Sequence, residues 1–380
     1  MYAGCVYIDQ VERLCIEQAK ELFQAEFADV RPVSGVCANL VVYTAFTNPS
    51  DPILALAIPN GGHISSGRKD FNGTAGAVHG LDVEYFAFDR NEMNIDVDKT
   101  KQKIEKMVKQ DNKTPKLAMF GGSLFLFPHP IRELADTFHG IGAKIAYDAA
   151  HVAGLIAGKR FQDPLREGAD VVSLSTHKTL FGPQGGTVLS FDKYAEQIKK
   201  ATFPSNTSNH HLHTVAGKAI AFAEMMEFGK QYAEQIVTNA KALAQELHAA
   251  GLTGLGESKG FTESHQIAVD VTKYGLGGDM ERALEQANII VNRQLLPGDI
   301  QAGRHYINPG GIRIGTSEIT RIGMKKNDMT EVARLIKKVV IEKQDPAKVR
   351  LEVAEFRKNF QKVRYCFTSA KNAYEYIKIR

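Results

Sequence analysis

The pattern of apolar and polar residues predicts a chain in which strands and helices alternate. Apolar side chains recur at helical spacing from Val11 to Phe23, which predicts an amphipathic helix over residues 7–24. Short runs that are apolar on both faces follow, separated by helical stretches. They lie at Ile53–Ile58, Val83–Phe88, Lys116–Phe120, Lys144–Tyr147, Val171–Leu174 and Val188–Phe191. Such runs are typical of a mainly parallel sheet covered by helices on both faces, so we predict an α/β fold.

A change of pattern near residue 203 suggests a domain boundary. Residues 203–213 are polar and lack periodicity, and a long helical pattern runs from Val215 to about Ala250, with Gly251 in the usual terminating position. Two further strands are expected, at Ile267–Val271 and Ile289–Val291.

With 380 residues the chain is long enough for two domains. We predict a large domain over residues 1–213. A smaller α/β domain over residues 214–380 would include the linking helix.

Composition and charge argue against several classes of protein. The net charge is only +4, and the basic residues are scattered among acidic ones, which argues against nucleic acid as a partner. No apolar stretch is long enough to cross a membrane, and the first residues do not resemble a signal peptide. The four cysteines lack metal-binding spacing, so we expect free thiols and no metal. Together these features predict a cytoplasmic enzyme.

One lysine stands where a cofactor could be held covalently. Lys178 follows the apolar run Val171–Leu174 and precedes a glycine-rich segment, and Asp148 ends the apolar run Lys144–Tyr147 upstream. A lysine amine can form a Schiff base with pyridoxal 5′-phosphate (PLP), and a carboxylate can bind the cofactor's pyridinium nitrogen. We therefore assign these two roles to Lys178 and Asp148.

Six short motifs occur in a fixed order along the chain. They are Tyr2–Asp9, Arg31–Gly35, Gly61–Ile64, Asp148–Leu155, Thr176–Gly186 and Gly311–Thr316. From about Tyr2 to Arg321 the chain thus resembles the serine hydroxymethyltransferase family. The resemblance implies a fold-type I, aspartate aminotransferase-like PLP enzyme, with a mainly parallel sheet in its large domain and a smaller α/β C-terminal domain. It also implies a transferase that acts on a small amino acid.

Three candidates could act as acid or base beside the cofactor. His63 follows two glycines, which permit close backbone approach, and its imidazole could stack on the pyridine ring. The resemblance places His151 next to the cofactor's phenolic oxygen and the substrate. Tyr2 is a further candidate for proton transfer. The alternatives are a loop histidine without a role for His63 and a core histidine for His151.

Other residues are candidates for binding the cofactor and the substrate. Ser34 and Gly35 precede a helix whose first amides would hold the phosphate, and Ser175 and His177 are further phosphate candidates. Ser123 could meet the polar edge of the ring or simply belong to a turn. A planar guanidinium suits a carboxylate, and the resemblance assigns Arg313 to the α-carboxylate of the substrate. A structural salt bridge is the other interpretation of Arg313.

The chain also departs from the family pattern. Family members carry several dozen residues ahead of the segment matched by Met1–Gly4, including a serine, a glutamate and a tyrosine used at the site. A different start or a separate chain that supplies this segment would explain the difference. Gln294 stands where the family has an asparagine that meets the pterin, Gln184 replaces an arginine, and Ser205–His210 replaces a glycine-rich loop. These departures leave the use of tetrahydrofolate open.

Several functions are therefore considered. Hydroxymethyl transfer between serine and glycine comes first. Folate-independent aldol cleavage or transaldol exchange on β-hydroxy amino acids follows, then transamination, racemisation or elimination. A catalytically silent regulatory homologue is the alternative from another class, and the joint presence of Lys178, Asp148, His63 and Arg313 argues against it. Because fold-type I sites lie between two subunits, we also expect a homodimer.

Overall fold

The computed structural model describes residues 3–368, which form helices and strands in alternation as expected. The helices are α1 (Val6–Phe23), α2 (Gly35–Phe46), α3 (Thr74–Ala77), α4 (Val97–Lys109), α5 (Ile131–Gly140), α6 (Ala153–Ala157), α7 (Pro164–Glu167), α8 (Ala195–Lys200), α9 (Leu212–Ala249), α10 (Gly277–Gln286), α11 (Ser317–Arg321), α12 (Met329–Val340) and α13 (Pro346–Arg357). The strands are β1 (Phe27–Asp29), β2 (Pro52–Ala55), β3 (Asp82–Tyr85), β4 (Phe88–Asp89), β5 (Asn94–Ile95), β6 (Leu117–Gly121), β7 (Lys144–Asp148), β8 (Val171–Ser175), β9 (Gly186–Ser190), β10 (Thr253–Gly254), β11 (Gln266–Asp270), β12 (Asn292–Gln294) and β13 (Gly311–Gly315).

The described residues divide into two compact units, residues 3–89 with 94–230, and residues 90–93 with 231–368. The division falls inside α9, after Lys230, whereas our domain prediction placed the whole helix in the second domain. None of the helices in the described part of the chain is both long and apolar enough to cross a bilayer.

The first unit is built on a seven-stranded sheet with the order β1-β9-β8-β7-β6-β2-β3. β9 runs antiparallel to its neighbours β8 and β1, and all the other neighbouring strands pair in parallel. Every residue of β6 and β8 is buried, as expected for strands that helices cover on both faces. The prediction of a mainly parallel sheet is confirmed.

The register of the central strands brings polar residues to one edge. Asp148, the last residue of β7, pairs with Gly121 at the end of β6 and with Ser173 near the end of β8. Because these strands are parallel, their carboxyl ends share one edge, where open α/β sheets bind ligands.

Helix α2 packs on this sheet through nearly all of its length. Ala38, Val41, Val42 and Ala45 belong to the same buried cluster as Ile53, Leu117, Met119, Val171 and Val188 of the sheet. The helix begins at Gly35, after Ser34, whose side chain accepts a hydrogen bond from the Cys37 amide at 3.1 Å. Packing and capping together fix the first turn of α2 near the carboxyl edge of the sheet.

The second unit contains a four-stranded antiparallel sheet, with the order β10-β11-β13-β12. Its core joins the sheet to the helices through residues such as Leu243, Val269, Leu284, Ile312 and Ile336. The strand predicted at Ile267–Val271 is present as β11.

The strand predicted at Ile289–Val291 is wrong, because the strand of this region, β12, begins at Asn292. Asn288 has a φ of 59°, which ends α10 in the left-handed region, and the Ile289 amide donates to the Leu284 carbonyl at 2.9 Å. These apolar residues therefore belong to the end of the helix and the turn after it.

Candidate active site

A cleft with a cavity volume of about 160 Å³ lies at the carboxyl edge of the sheet in the first unit. It is lined by Ser34, Gly35, Val36, Asn39, His63, Gly122, Asp148, Ala150, His151, Ser175, His177, Lys178 and Gln184. The cleft thus brings together every predicted cofactor residue except Ser123, whose neighbour Gly122 lines it instead. The Ser123 amide donates to the Gly61 carbonyl at 2.7 Å, which joins this segment to the loop that carries His63.

One end of the cleft is suited to an anion. The first turn of α2 leaves backbone amides without partners inside the helix. A side chain at Gly35 would place its Cβ 2.2 Å from Ser175 Oγ, so any larger residue here would force Ser175 or the helix to shift. Burial and the neighbouring Lys178 lower the pKa of His177. The residues present fit a phosphate held by amides and hydroxyls.

Asp148 is a buried carboxylate, with 4% of its surface exposed. It accepts hydrogen bonds from Asn39 Nδ2 at 2.8 Å and from the Ala150 amide at 2.9 Å. Within the described residues, no lysine, arginine or histidine forms an ion pair with it. A buried charge of this kind is costly without a cationic partner, and a pyridinium nitrogen would supply one. The site therefore fits PLP.

Lys178 lies in a loop that two threonines anchor. Thr176 Oγ1 donates to the Pro183 carbonyl at 2.6 Å. Thr179 Oγ1 donates to the His151 carbonyl at 2.8 Å and accepts from the Gly154 amide at 3.0 Å. Lys178 is partly buried, with Nζ 3.4 Å from Ser175 Oγ. The loop therefore ties the lysine to the segment that carries His151.

Two residues of the site were not among the predicted candidates. Asn39 lines the cleft and donates to Asp148, and Ser65 contacts both Asn39 and His63. Asn39 lies four residues after Gly35, hence on the same face of α2, and this spacing was the signal that could have identified it.

The two remaining predicted site residues are Arg313 and Tyr2. Arg313 lies on β13 in the second unit, where Nη2 donates to Asn292 Oδ1 at 3.2 Å and burial lowers the pKa of the guanidinium. Its role toward the substrate stays a prediction. Tyr2 lies outside the described residues. Between residues 3 and 368, no group of three or more His, Cys, Asp or Glu side chains is arranged to hold a metal ion.

A buried lysine supports the loop that leads into α2. Lys218 Nζ donates to the carbonyls of Val30 at 2.7 Å, Gly186 at 2.9 Å and Pro32 at 3.3 Å. Only 1% of the residue is exposed, and burial lowers its pKa to about 8. Lys218 therefore joins the segment before Ser34 to β9 and helps to fix the anion end of the cleft.

We expect Lys218→Met to lower the free energy of unfolding by roughly 2–4 kcal/mol, because buried carbonyls lose their charged donor. Urea unfolding would measure the change. Lys230→Met, at an exposed position of the same helix, is the matched control and should cost less than about 0.5 kcal/mol. Equal effects of the two variants would contradict a supporting role for Lys218.

The fold and the cleft fit a fold-type I PLP enzyme, and comparisons with known proteins show its family and its class, a transferase. A family model described as serine hydroxymethyltransferase matches residues 1–336. The chain belongs to the serine hydroxymethyltransferase family. Its predicted fold class, family and enzyme class are therefore confirmed, and the family implies PLP as the cofactor.

Individual relatives support the same assignment. The serine hydroxymethyltransferase of Nitrosopumilus maritimus is 63% identical over 380 residues, covering 100% of this chain and 86% of the relative. The serine hydroxymethyltransferase of Korarchaeum cryptofilum is 55% identical over 383 residues, covering 99% of this chain and 87% of the relative. Among solved structures, L-threonine transaldolase from Pseudomonas fluorescens, in its internal aldimine state, is similar with a TM-score of 0.85 and 28% identity. That match covers 98% of this chain and 82% of the transaldolase.

Proposed function

We propose that this chain transfers a hydroxymethyl group between serine and glycine, with PLP in the cleft of the first unit and tetrahydrofolate as the carrier. The observation that carries the proposal is the buried carboxylate of Asp148, which has no cationic partner among the described residues and lies in the same cleft as Lys178. The names of the curated relatives, one of them 63% identical, support the reaction.

Different residues of the cleft would hold different parts of the cofactor. Lys178 would bind it covalently through its amine, and Asp148 would hold its ring nitrogen. The amides after Ser34, with Ser175 and His177, would hold its phosphate. When bound, PLP supplies an electron sink for the substrate's Cα. His63, His151 and Lys178 are groups of the lining that can hold or move a proton at the substrate.

The substrate is proposed to be a small amino acid whose carboxylate meets Arg313, since a guanidinium binds a carboxylate through two parallel hydrogen bonds. We also propose a homodimer. Val6, Tyr7 and Leu14 on α1 are exposed apolar side chains, which supports an interface at this helix. The four cysteines are free thiols, which supports a reducing compartment such as the cytoplasm.

A folate-independent aldol or transaldol reaction on a β-hydroxy amino acid is the second candidate. The structural likeness to an L-threonine transaldolase favours it, because the match covers 98% of this chain. Such a reaction would use the same cofactor residues and differ in the acceptor of the carbon fragment.

Product analysis separates the two reactions. The protein loaded with PLP would be incubated with serine or with allo-threonine, each with and without tetrahydrofolate, and glycine would be measured. We expect glycine from serine to depend on tetrahydrofolate. Glycine and aldehyde from allo-threonine, with no response of serine to the folate, would favour the second candidate. No glycine from either amino acid would refute both.

A further inference from the structure

A chain of buried hydrogen bonds runs from Asp148 to His63. Asn39 Nδ2 lies 2.8 Å from Asp148 Oδ2 and 2.9 Å from Ser65 Oγ, and Ser173 Oγ donates to Asn39 Oδ1 at 2.5 Å. Asn39, Ser65, Ser173 and Asp148 are each at most 4% exposed. The water-poor surroundings strengthen each bond and raise the cost of leaving a group unpaired.

The carboxylate determines how the Asn39 amide is oriented. An amide oxygen only accepts hydrogen bonds, so a flipped side chain would set two acceptors, its oxygen and Asp148 Oδ2, against each other. The NH₂ group therefore faces Asp148, and its second hydrogen goes to Ser65 Oγ. Both hydrogens and the oxygen of Asn39 are then used within this network.

The same reasoning determines the next bond. Because Ser65 Oγ accepts from Asn39, its own hydrogen is available to the acceptor on its other side, His63 Nδ1, at 2.8 Å. The Ser65 amide also points at this nitrogen, at 3.1 Å, and an amide N–H can only donate. A ring nitrogen that meets two donors must carry its lone pair, and neutral imidazole has one such nitrogen.

We propose that Asn39 is a positioning residue that acts through Ser65 to hold His63 as the neutral tautomer with its proton on Nε2. His63 then presents a donor at Nε2, and Nδ1 is occupied and does not serve as a base. A neutral imidazole also avoids repulsion with a protonated pyridine ring beside it. The proposal rests on the proposed function only for the identity of that ring ligand, since the network consists of this chain's own residues.

The tautomer can be measured directly by NMR. Protein labelled with ¹⁵N-histidine would be studied near neutral pH, without PLP and then loaded with it, and His63→Gln would identify the His63 signals. We expect an unprotonated Nδ1 and a protonated Nε2 in the natural chain. Ser65→Ala removes one donor and should shift the tautomer ratio toward the Nδ1–H form roughly fivefold, the usual worth of one hydrogen bond.

Two further variants supply a control and a test of Asn39 itself. Ser66→Ala is the matched control, because Ser66 is also buried but pairs with Tyr43 Oη at 2.9 Å, and it should leave the ratio unchanged. Asn39→Ala should shift the ratio in the same direction as Ser65→Ala. An Asn39→Ala protein that folds with an unchanged ratio would refute the role of Asn39. If it fails to fold, Ser65→Ala compared with Ser66→Ala still tests the bond from Ser65 to His63.

A protonated Nδ1 in the natural chain, or equal shifts in Ser65→Ala and Ser66→Ala, would overturn the proposal. Because the spectra are recorded first without PLP, the result does not depend on the reaction. An Nε2–H tautomer in a protein that lacks transferase activity would contradict the proposed function and leave this inference standing.

Discussion

Lys178→Ala is expected to reduce kcat by at least roughly 1,000-fold, because it removes the amine that would bind the cofactor covalently and one group able to move a proton at Cα. The visible absorbance of PLP attached to a lysine should be lost as well. Steady-state glycine formation and absorbance spectra of the purified protein would measure the two effects.

The control is Lys193→Ala, at an exposed position of the same unit, which should leave both the rate and the spectrum unchanged. A Lys178→Ala protein that kept the absorbance band would refute the assignment. Loss of activity in both variants would instead point to damage of the fold.

The second large effect is expected for Asp148→Asn. Replacing the buried carboxylate by a neutral group of the same shape removes the charge opposite the pyridinium nitrogen. Loss of one partner from a buried charge pair costs about 3–5 kcal/mol, so we expect kcat or PLP affinity to fall by 100-fold or more. Titration of the protein with PLP and a kinetic assay would separate the two losses.

Asp170→Asn is the matched control, because Asp170 is also a buried carboxylate and directly precedes β8. It accepts from the Ile145 amide at 2.9 Å and from Tyr194 Oη at 2.8 Å, near the amino ends of β7 and β8. We expect this variant to lose stability but to bind PLP as before. Equal losses of PLP binding would show that Asp148 acts only on the fold.

The sheet and its carboxyl edge, which carries the cleft, were predictable from the sequence because buried parallel strands appear in it as continuous apolar runs. The run Lys144–Tyr147 became β7, with Asp148 as its last residue, and Val171–Leu174 became β8 just before Lys178. Parallel pairing then places such strand ends side by side. The placement of Asp148 and Lys178 at one edge of the sheet follows from this rule without any knowledge of side-chain contacts.

Other features depend on tertiary contacts that periodicity does not report. Helix α2 is buried on almost all sides, so its hydrophobic periodicity does not single out Asn39, and only the spacing of four residues from Gly35 points to the cleft. The pattern of α9 is continuous, and only contacts show that the units separate after Lys230. Ile289 looks like part of a strand because its packing at a helix end requires an apolar side chain too.

Chemical trapping of the cofactor tests the central claim most directly. The protein loaded with PLP would be reduced with borohydride, digested, and the modified lysine located by mass spectrometry. We predict one modified peptide, carrying the pyridoxyl group on Lys178. Modification at Lys218 or at surface lysines, with Lys178 unmodified, would contradict the account of the cleft.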